Sequence, residues 1–256
     1  MFSLKERRAF VTGGTSGIGK AVAEAFVAQG ATVVVGDIVD GTAVAEEMNA
    51  QFVSVDVSDE ASVQRTLQKS VELLGGKLDV VVLNAGVGDV GPNLENTDQE
   101  LIDKVTRVNH YGVLYGLKCA PALMNDHGSI ICTSSMASFI TLPGAAVYSA
   151  GKRAVNSLVE TSALELGKRG IRVNAVCPGY TATAMGSGEE GQKICEAFTA
   201  LGRVAEVDDM AGVFVFLACD ASRYMTGQAL QVDGGWNCGP TETLLEIVTG
   251  SAGAPG

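Results

Sequence analysis

Apolar residues fall along this chain in two rhythms. Short runs rich in valine and isoleucine recur at residues 8–12, 32–36, 51–55, 79–83, 128–133, 171–176 and 229–232, each bounded by glycine or polar clusters. Runs of that length and composition read as strands buried on both faces. Between them, apolar residues recur at helical spacing, as in Ile18, Val22, Ala25 and Phe26 ahead of Gly30. The same rhythm predicts helices around 42–49, from Ser58 as cap to Gly75-Gly76, from Thr97 to about Met124, from Tyr148 to about Arg169-Gly170, and over 207–219. Strand and helix alternate without a linker-like break. The expectation is one α/β domain over 1–256, a doubly wound parallel sheet (Rossmann-like) with helices on both faces. Residues 184–203 carry little pattern and early glycines, which suits a substrate lid. The tail, 239–256, is expected to be partly disordered.

Composition narrows the class. At 46% hydrophobic and 18% charged, the 256 residues suit a soluble globular protein. A net charge of −11, from 18 basic and 29 acidic residues, speaks against a nucleic-acid partner. The apolar runs are too short to span a bilayer, and no basic, apolar leader opens the chain. The expected location is the cytoplasm, with no membrane partner. The six cysteines show no C-x-x-C spacing and there are two histidines, so no metal site is expected and the thiols read as free and buried.

Chemistry enters where strands end. The first strand runs into Thr12-Gly13-Gly14-Thr15-Ser16-Gly17-Ile18-Gly19 and then a helix. In that context glycines let backbone approach a pyrophosphate, which the helix N-terminus favours. The second strand ends at Asp37, where a carboxylate can accept bonds from a ribose diol and repel a 2′-phosphate. Neither Ser16 nor Ile38 offers a cation for such a phosphate. NAD(H) is therefore expected over NADP(H). Asp56-Val57 ends the third strand, where an adenine ring could be met. Asn84-Ala85-Gly86 ends the fourth, with small residues against which a cofactor could lie.

Tyr148 and Lys152 are four residues apart at the head of a helix, so phenol and ammonium share one face. A cation beside a phenol favours loss of its proton, as a base acting on a hydroxyl near neutrality requires. Ser134-Ser135 closes the fifth strand, and Asn109 sits inside a helical pattern although asparagine is a weak helix former.

These motifs, in this order, resemble the short-chain dehydrogenase/reductase family in its subgroup of roughly 250 residues. The likeness runs from Leu4 to Trp236 and includes Thr226-Gly227-Gln228 and Asp233-Gly234-Gly235. The resemblance implies a catalytic tetrad of Asn109, Ser135, Tyr148 and Lys152; the family's thirteen-residue spacing selects Ser135 over Ser134. Tyr148 would be the general acid/base, Lys152 would assist it and bind the nicotinamide ribose, and Ser135 would hold the substrate oxygen. Asn109 would anchor a water that links Lys152 to solvent. The implied cofactor contacts are Gly13, Thr15, Ser16, Gly17, Ile18, Gly19, Asp37, Ile38, Asp56, Val57, Asn84, Ala85, Gly86, Tyr148, Lys152, Pro178, Gly179, Thr181 and Thr183. Leu83 and His110 depart from common family residues.

The expected activity is an NAD(H)-dependent interconversion of a secondary alcohol and a ketone. Ser135, Met136, Tyr148, Tyr180 and Met185 are read as substrate contacts, with Val87, Val90, Phe139, Ile140 and Leu142 as further apolar wall. That wall suits a small or medium hydrophobic substrate. Two alternatives stand beside it: a 3-oxoacyl thioester (acyl carrier protein) reductase of the same family, and a dinucleotide-binding regulator without catalysis. The resemblance also implies a homotetramer.

Overall fold

The computed structural model describes residues 2–88, 91–183 and 189–250. Its strands are β1 (Arg8–Thr12), β2 (Thr32–Asp37), β3 (Gln51–Ser54), β4 (Leu78–Leu83), β5 (Met124–Thr133), β6 (Arg172–Pro178) and β7 (Ala229–Val232). They form one seven-stranded sheet in the order β3-β2-β1-β4-β5-β6-β7, with every pairing parallel. The helices are α1 (Gly17–Ala28), α2 (Thr42–Glu47), α3 (Glu60–Leu73), α4 (Gln99–Thr106), α5 (Gly112–Cys119), α6 (Ala146–Leu166), α7 (Glu189–Phe198), α8 (Val207–Ala218) and α9 (Glu242–Thr249).

Both faces of the sheet are covered. Ala9 and Val11 of β1 and Val80 and Val82 of β4 join a core with Phe26 of α1 and Phe214 of α8. The intervening Phe10, Val81 and Leu83 join a second core with Leu67 of α3, Leu117 of α5 and Val155 of α6. A two-residue side-chain period explains this division, and burial on both faces explains the unbroken apolar runs. The strand order reverses between β1 and β4, so their carboxyl ends open a crevice, the place where such sheets bind ligands.

Several elements differ from the sequence expectation. β5 begins at Met124 rather than 128, because the polar start is tied in: Asn125 Nδ2 donates to Asp79 Oδ1 at 2.9 Å. The cap of α3 is Asp59, which accepts from Ala61 N and Ser62 N at 3.1 Å each. Ser58 instead donates its hydroxyl to Asp56 Oδ1 at 2.7 Å. The helix expected over 97–124 is a rod of α4, a π-helical turn (Arg107–Tyr111), α5 and a 3₁₀ turn (Ala120–Leu123).

The weakly patterned 184–203 holds a regular helix, α7, while residues 184–188 lie outside the described residues. The tail expected to be partly disordered contains α9, capped by Thr241, whose hydroxyl accepts from Leu244 N at 3.1 Å; residues 251–256 lie outside the described ones. Among the described residues no helix is long and apolar enough to cross a membrane, and no cluster of ligands could hold a metal ion. All six cysteines are unpaired, four of them buried.

One buried cation serves the fold. Arg172 of β6 is 8% exposed and donates to Ser222 Oγ and to the carbonyls of Leu217 and Cys219. It thereby satisfies the open carbonyls at the end of α8. Arg172→Met removes those donors while keeping the stem, and is expected to cost about 2–3 kcal/mol. Thermal unfolding would report this as a fall in Tm of about 5–10 °C.

Candidate active site

Every element of the site leaves the sheet at a strand's carboxyl end. After β1 the chain turns through Gly13 with φ +62° and enters α1. A β-carbon on Gly19 would lie 2.0 Å from the Gly13 carbonyl oxygen and 2.5 Å from Asn84 Nδ2, so the loop closes on itself without space for a methyl. Ser16, the residue before α1, makes no side-chain cap, and the first turn carries no acidic residue. The positive end of the helix is thus left to an external anion. The Thr183 methyl lies over Gly17, 3.2 Å from the place a β-carbon would take, beside a crevice of about 360 Å³ that Lys20 also lines. Glu24, a turn further along α1, also lines the crevice and pairs with Lys20, while the backbone cradle at the first turn carries no carboxylate and fits a dinucleotide pyrophosphate.

Asp37 stands at the end of β2, its carboxylate held by the Thr15 hydroxyl at 2.6 Å and by Ile38 N at 2.8 Å. Ile38 beside it is 67% exposed and carries no charge. Asp56 Oδ1 accepts from Ser58 N at 2.9 Å, which shapes the turn after β3. Val57 is partly buried against the second core, which turns its side chain inward.

Asn84 is committed to the loop itself. Its Nδ2 donates to the carbonyls of Thr12 and Gly13 at 3.1 and 3.3 Å, and its Oδ1 accepts from Thr133 Oγ1 at 3.0 Å. Thr12 Oγ1 receives the backbone N–H groups of Asn84 and Ala85. These bonds tie the ends of β1, β4 and β5 together. Pro178 closes β6, and Gly179 N donates to Val232 O at 2.9 Å. Thr181 is buried and donates to Gly179 O at 3.1 Å, so its hydroxyl shapes the loop.

The four residues that the resemblance implies as a tetrad come from three elements: Asn109 from the π turn, Ser135 from the cap of the turn after β5, and Tyr148 and Lys152 from α6. Asn109 lies in the π turn, 0% exposed, where its Oδ1 accepts from Val87 N at 2.8 Å and its Nδ2 donates to Val87 O at 2.7 Å. That pair of bonds clasps the loop after β4. A β-carbon on Gly86 would lie 3.1 Å from Asn109 Oδ1 and 3.6 Å from Lys152 Nζ, so both side chains approach the same stretch of backbone. Lys152 is 4% exposed, donates to Thr133 O at 2.8 Å, and stands 5.6 Å from the centre of the Tyr148 ring. A cation at that distance over a ring is attracted to it.

Ser135 caps the 3₁₀ turn Met136–Ser138, its Oγ accepting from Ala137 N at 3.1 Å. With an acceptor lone pair so occupied, its proton is left to donate elsewhere. Neighbouring Ser134 donates to the Lys152 carbonyl at 3.1 Å and is 2% exposed. Beneath the turn, burial pushes the Cys177 thiol pKa up and that of Cys132 to about 12, so both stay protonated and unreactive.

The expected substrate wall is divided. Met136 is 6% exposed but joins neither core, whereas Phe139 and Ile140 stand 40% and 38% exposed at the rim. Tyr180 stacks on Trp236 with centroids 5.5 Å apart, and Phe198 at the end of α7 stacks on Trp236 at 5.0 Å. Burial raises the Tyr180 phenol pKa. Trp236 and Phe198 were absent from the sequence-based site; the glycine pair before Trp236, which frees the chain to turn there, was the available signal. Met185 and Val90 lie outside the described residues.

Residues 13–237 match the profile of a family described as Enoyl-(Acyl carrier protein) reductase. The L-2,3-butanediol dehydrogenase of Corynebacterium glutamicum is 35% identical, the match covering 89% of this chain and 97% of that one. The trans-4-hydroxycyclohexanecarboxylate dehydrogenase of Sinomonas cyclohexanicum is 36% identical, covering 91% and 94%. A short-chain dehydrogenase from Burkholderia cenocepacia, solved in complex with NADP, superimposes with a TM-score of 0.86 at 30% identity, covering 91% and 99%.

A parallel doubly wound sheet with a phosphate cradle at its switch point, and a tyrosine–lysine pair beside it, defines an oxidoreductase of the Rossmann class. Within that class the chain belongs to the short-chain dehydrogenase/reductase family.

Proposed function

We propose that the protein interconverts a secondary alcohol and its ketone with NAD(H), Tyr148 passing the hydroxyl proton. The observation that carries this reading is the approach of Asn109 and Lys152 to the Gly86 backbone, with the Tyr148 ring 5.6 Å from Lys152 Nζ and Ser135 capping the turn after β5. When bound, the nicotinamide supplies the acceptor or donor of hydride. In the oxidative direction the Tyr148 oxygen accepts the substrate hydroxyl proton, and in the reductive direction it returns one. Lys152 places a positive charge 5.6 Å from the centre of the phenol ring and would hold the nicotinamide ribose. Ser135 donates its proton to the substrate oxygen and offsets charge that develops there. Gly13, Gly17, Gly19 and Thr183 would border the pyrophosphate, and Asp37 the adenosine ribose.

Asp37 supports NAD(H) as the cofactor. Its carboxylate is oriented by Thr15 and Ile38 and has no lysine or arginine at positions 16 or 38 to offset a 2′-phosphate. Asp37→Ala removes both the ribose acceptor and the repulsion. The KM for NADH is expected to rise about tenfold, while NADPH becomes the better reductant in relative terms. Steady-state rates with each cofactor check this; an unchanged NADH/NADPH ratio would remove Asp37 from the specificity argument.

The apolar rim formed by Phe139 and Ile140 supports a small or medium hydrophobic substrate. Both alcohols in the names of the curated relatives, a 2,3-butanediol and a 4-hydroxycyclohexanecarboxylate, are secondary. The test is a screen of aliphatic, cyclic and aryl ketones, followed by loss of NADH absorbance. Turnover confined to acyl thioesters with NADPH would instead mark the thioester reductase. A homotetramer is part of the proposal, with Leu164 of α6, 84% exposed, on one candidate contact face; light scattering on the purified protein decides it.

A further inference from the structure

Behind Ser135, a row of polar groups bolts its loop to α6. Ser149, Lys152, Arg153 and Asn156 follow one another at spacings of three, four and seven from Ser149, which is a single stripe on a helix. Each meets the loop. Thr141 Oγ1 donates to Ser149 Oγ at 3.1 Å, Ser134 Oγ to Lys152 O at 3.1 Å, and Arg153 to Phe139 O at 3.2 Å. At the far end Asn156 Nδ2 donates to Ser138 Oγ at 2.9 Å. Ser138, 7% exposed, donates in turn to the Ser135 carbonyl at 2.6 Å, and its N–H reaches the same oxygen at 3.0 Å. The other end of Asn156, Oδ1, faces the Cys177 thiol at 4.0 Å.

We propose that Asn156 is a positioning residue, acting through Ser138 to keep the Ser135 hydroxyl aimed at the substrate oxygen. The proposal rests on the reading of Ser135 as the donor to that oxygen. A three-residue 3₁₀ turn has poor internal hydrogen bonds and is weak alone, so its orientation depends on such attachments. Ser135 and Tyr148 stand on different elements, and this seam joins the two. An error of about 1 Å in the placement of such a group can cost about a hundredfold in rate.

The test uses the full-length enzyme and its best ketone. Asn156→Ala is expected to lower kcat about tenfold, with NADH affinity by nicotinamide fluorescence within about twofold of wild type. Asn156→Asp is expected to lower kcat further, because a carboxylate draws the Ser138 proton away from the Ser135 carbonyl. In a Ser135→Ala background, Asn156→Ala has no additional effect, since its action passes through the missing hydroxyl. Amide exchange on the cofactor-free protein reads the coupling without turnover: Ala137, Ser138 and Phe139 exchange faster in Asn156→Ala, while the rest of α6 is unchanged. An unchanged kcat overturns the proposal, as does an equal loss of rate in the Ser135→Ala background. Absence of any turnover by the wild-type protein overturns the functional reading instead. Unchanged exchange at 137–139 overturns the coupling whatever the activity.

Discussion

Replacing Tyr148 by phenylalanine lowers kcat for ketone reduction by about 10²–10⁴-fold and leaves NADH affinity close to wild type. The range is that of a general acid or base positioned at the reacting oxygen. The substitution removes one oxygen and keeps the ring, so Lys152 retains the aromatic face it approaches at 5.6 Å. Its bond to Thr133 O, at 2.8 Å, does not involve the phenol and also persists. Binding and chemistry therefore separate, which steady-state kinetics and nicotinamide fluorescence read independently. Full turnover by Tyr148→Phe would sink the assignment of the proton to this residue. Binding without turnover in the wild type would favour the regulator reading.

Gly19→Ala is expected to weaken cofactor binding about 10- to 100-fold, with thermal stability reduced as well. The added methyl would lie 2.0 Å from the Gly13 carbonyl oxygen and 2.8 Å from its carbon, both backbone atoms that cannot rotate aside. The third near atom, Asn84 Nδ2 at 2.5 Å, is held by the Thr12 and Gly13 carbonyls. Relief requires the loop to open, which strains the cradle and loosens its tie to β4. Overpacking of this kind costs about 1–3 kcal/mol, and each 1.4 kcal/mol is about tenfold in affinity. Titration of NADH fluorescence checks it; affinity equal to wild type would show that the loop yields without cost.

The seven strands were legible because each carries a short apolar run closed by a polar or glycine cluster, and burial on both faces of the central strands keeps consecutive residues of those runs apolar. The Tyr148–Lys152 pair and the serines at the end of β5 were visible as local facts, an i, i+4 spacing on a helix and a strand end, while the resemblance selected Ser135 and grouped Asn109 with them. The short tail helix was not. α7 and α9 draw much of their order from contacts between segments distant in sequence: Phe198 stacks on Trp236, and the Thr241 hydroxyl donates to the Ala197 carbonyl. No period within either segment announces such a partner. The cap of α3 shows the same limit at short range. Ser58 and Asp59 are both good caps, and the bond from Ser58 to Asp56 decided between them.

The sequence by itself determined the fold class, the order of the elements and the strand ends at which candidate chemical groups appear. Periodicity and turn chemistry act within a few residues and are written in the order of the side chains. Tertiary structure decided what those groups touch. It turned the rod around Asn109 into a π turn, brought Asn109 and Lys152 together against Gly86, and made Asn84 a tie between strands. It also joined Asn156 to Ser135 through Ser138, across eighteen residues of chain between 138 and 156. Contacts of that kind depend on how packed elements meet, and no local pattern encodes them.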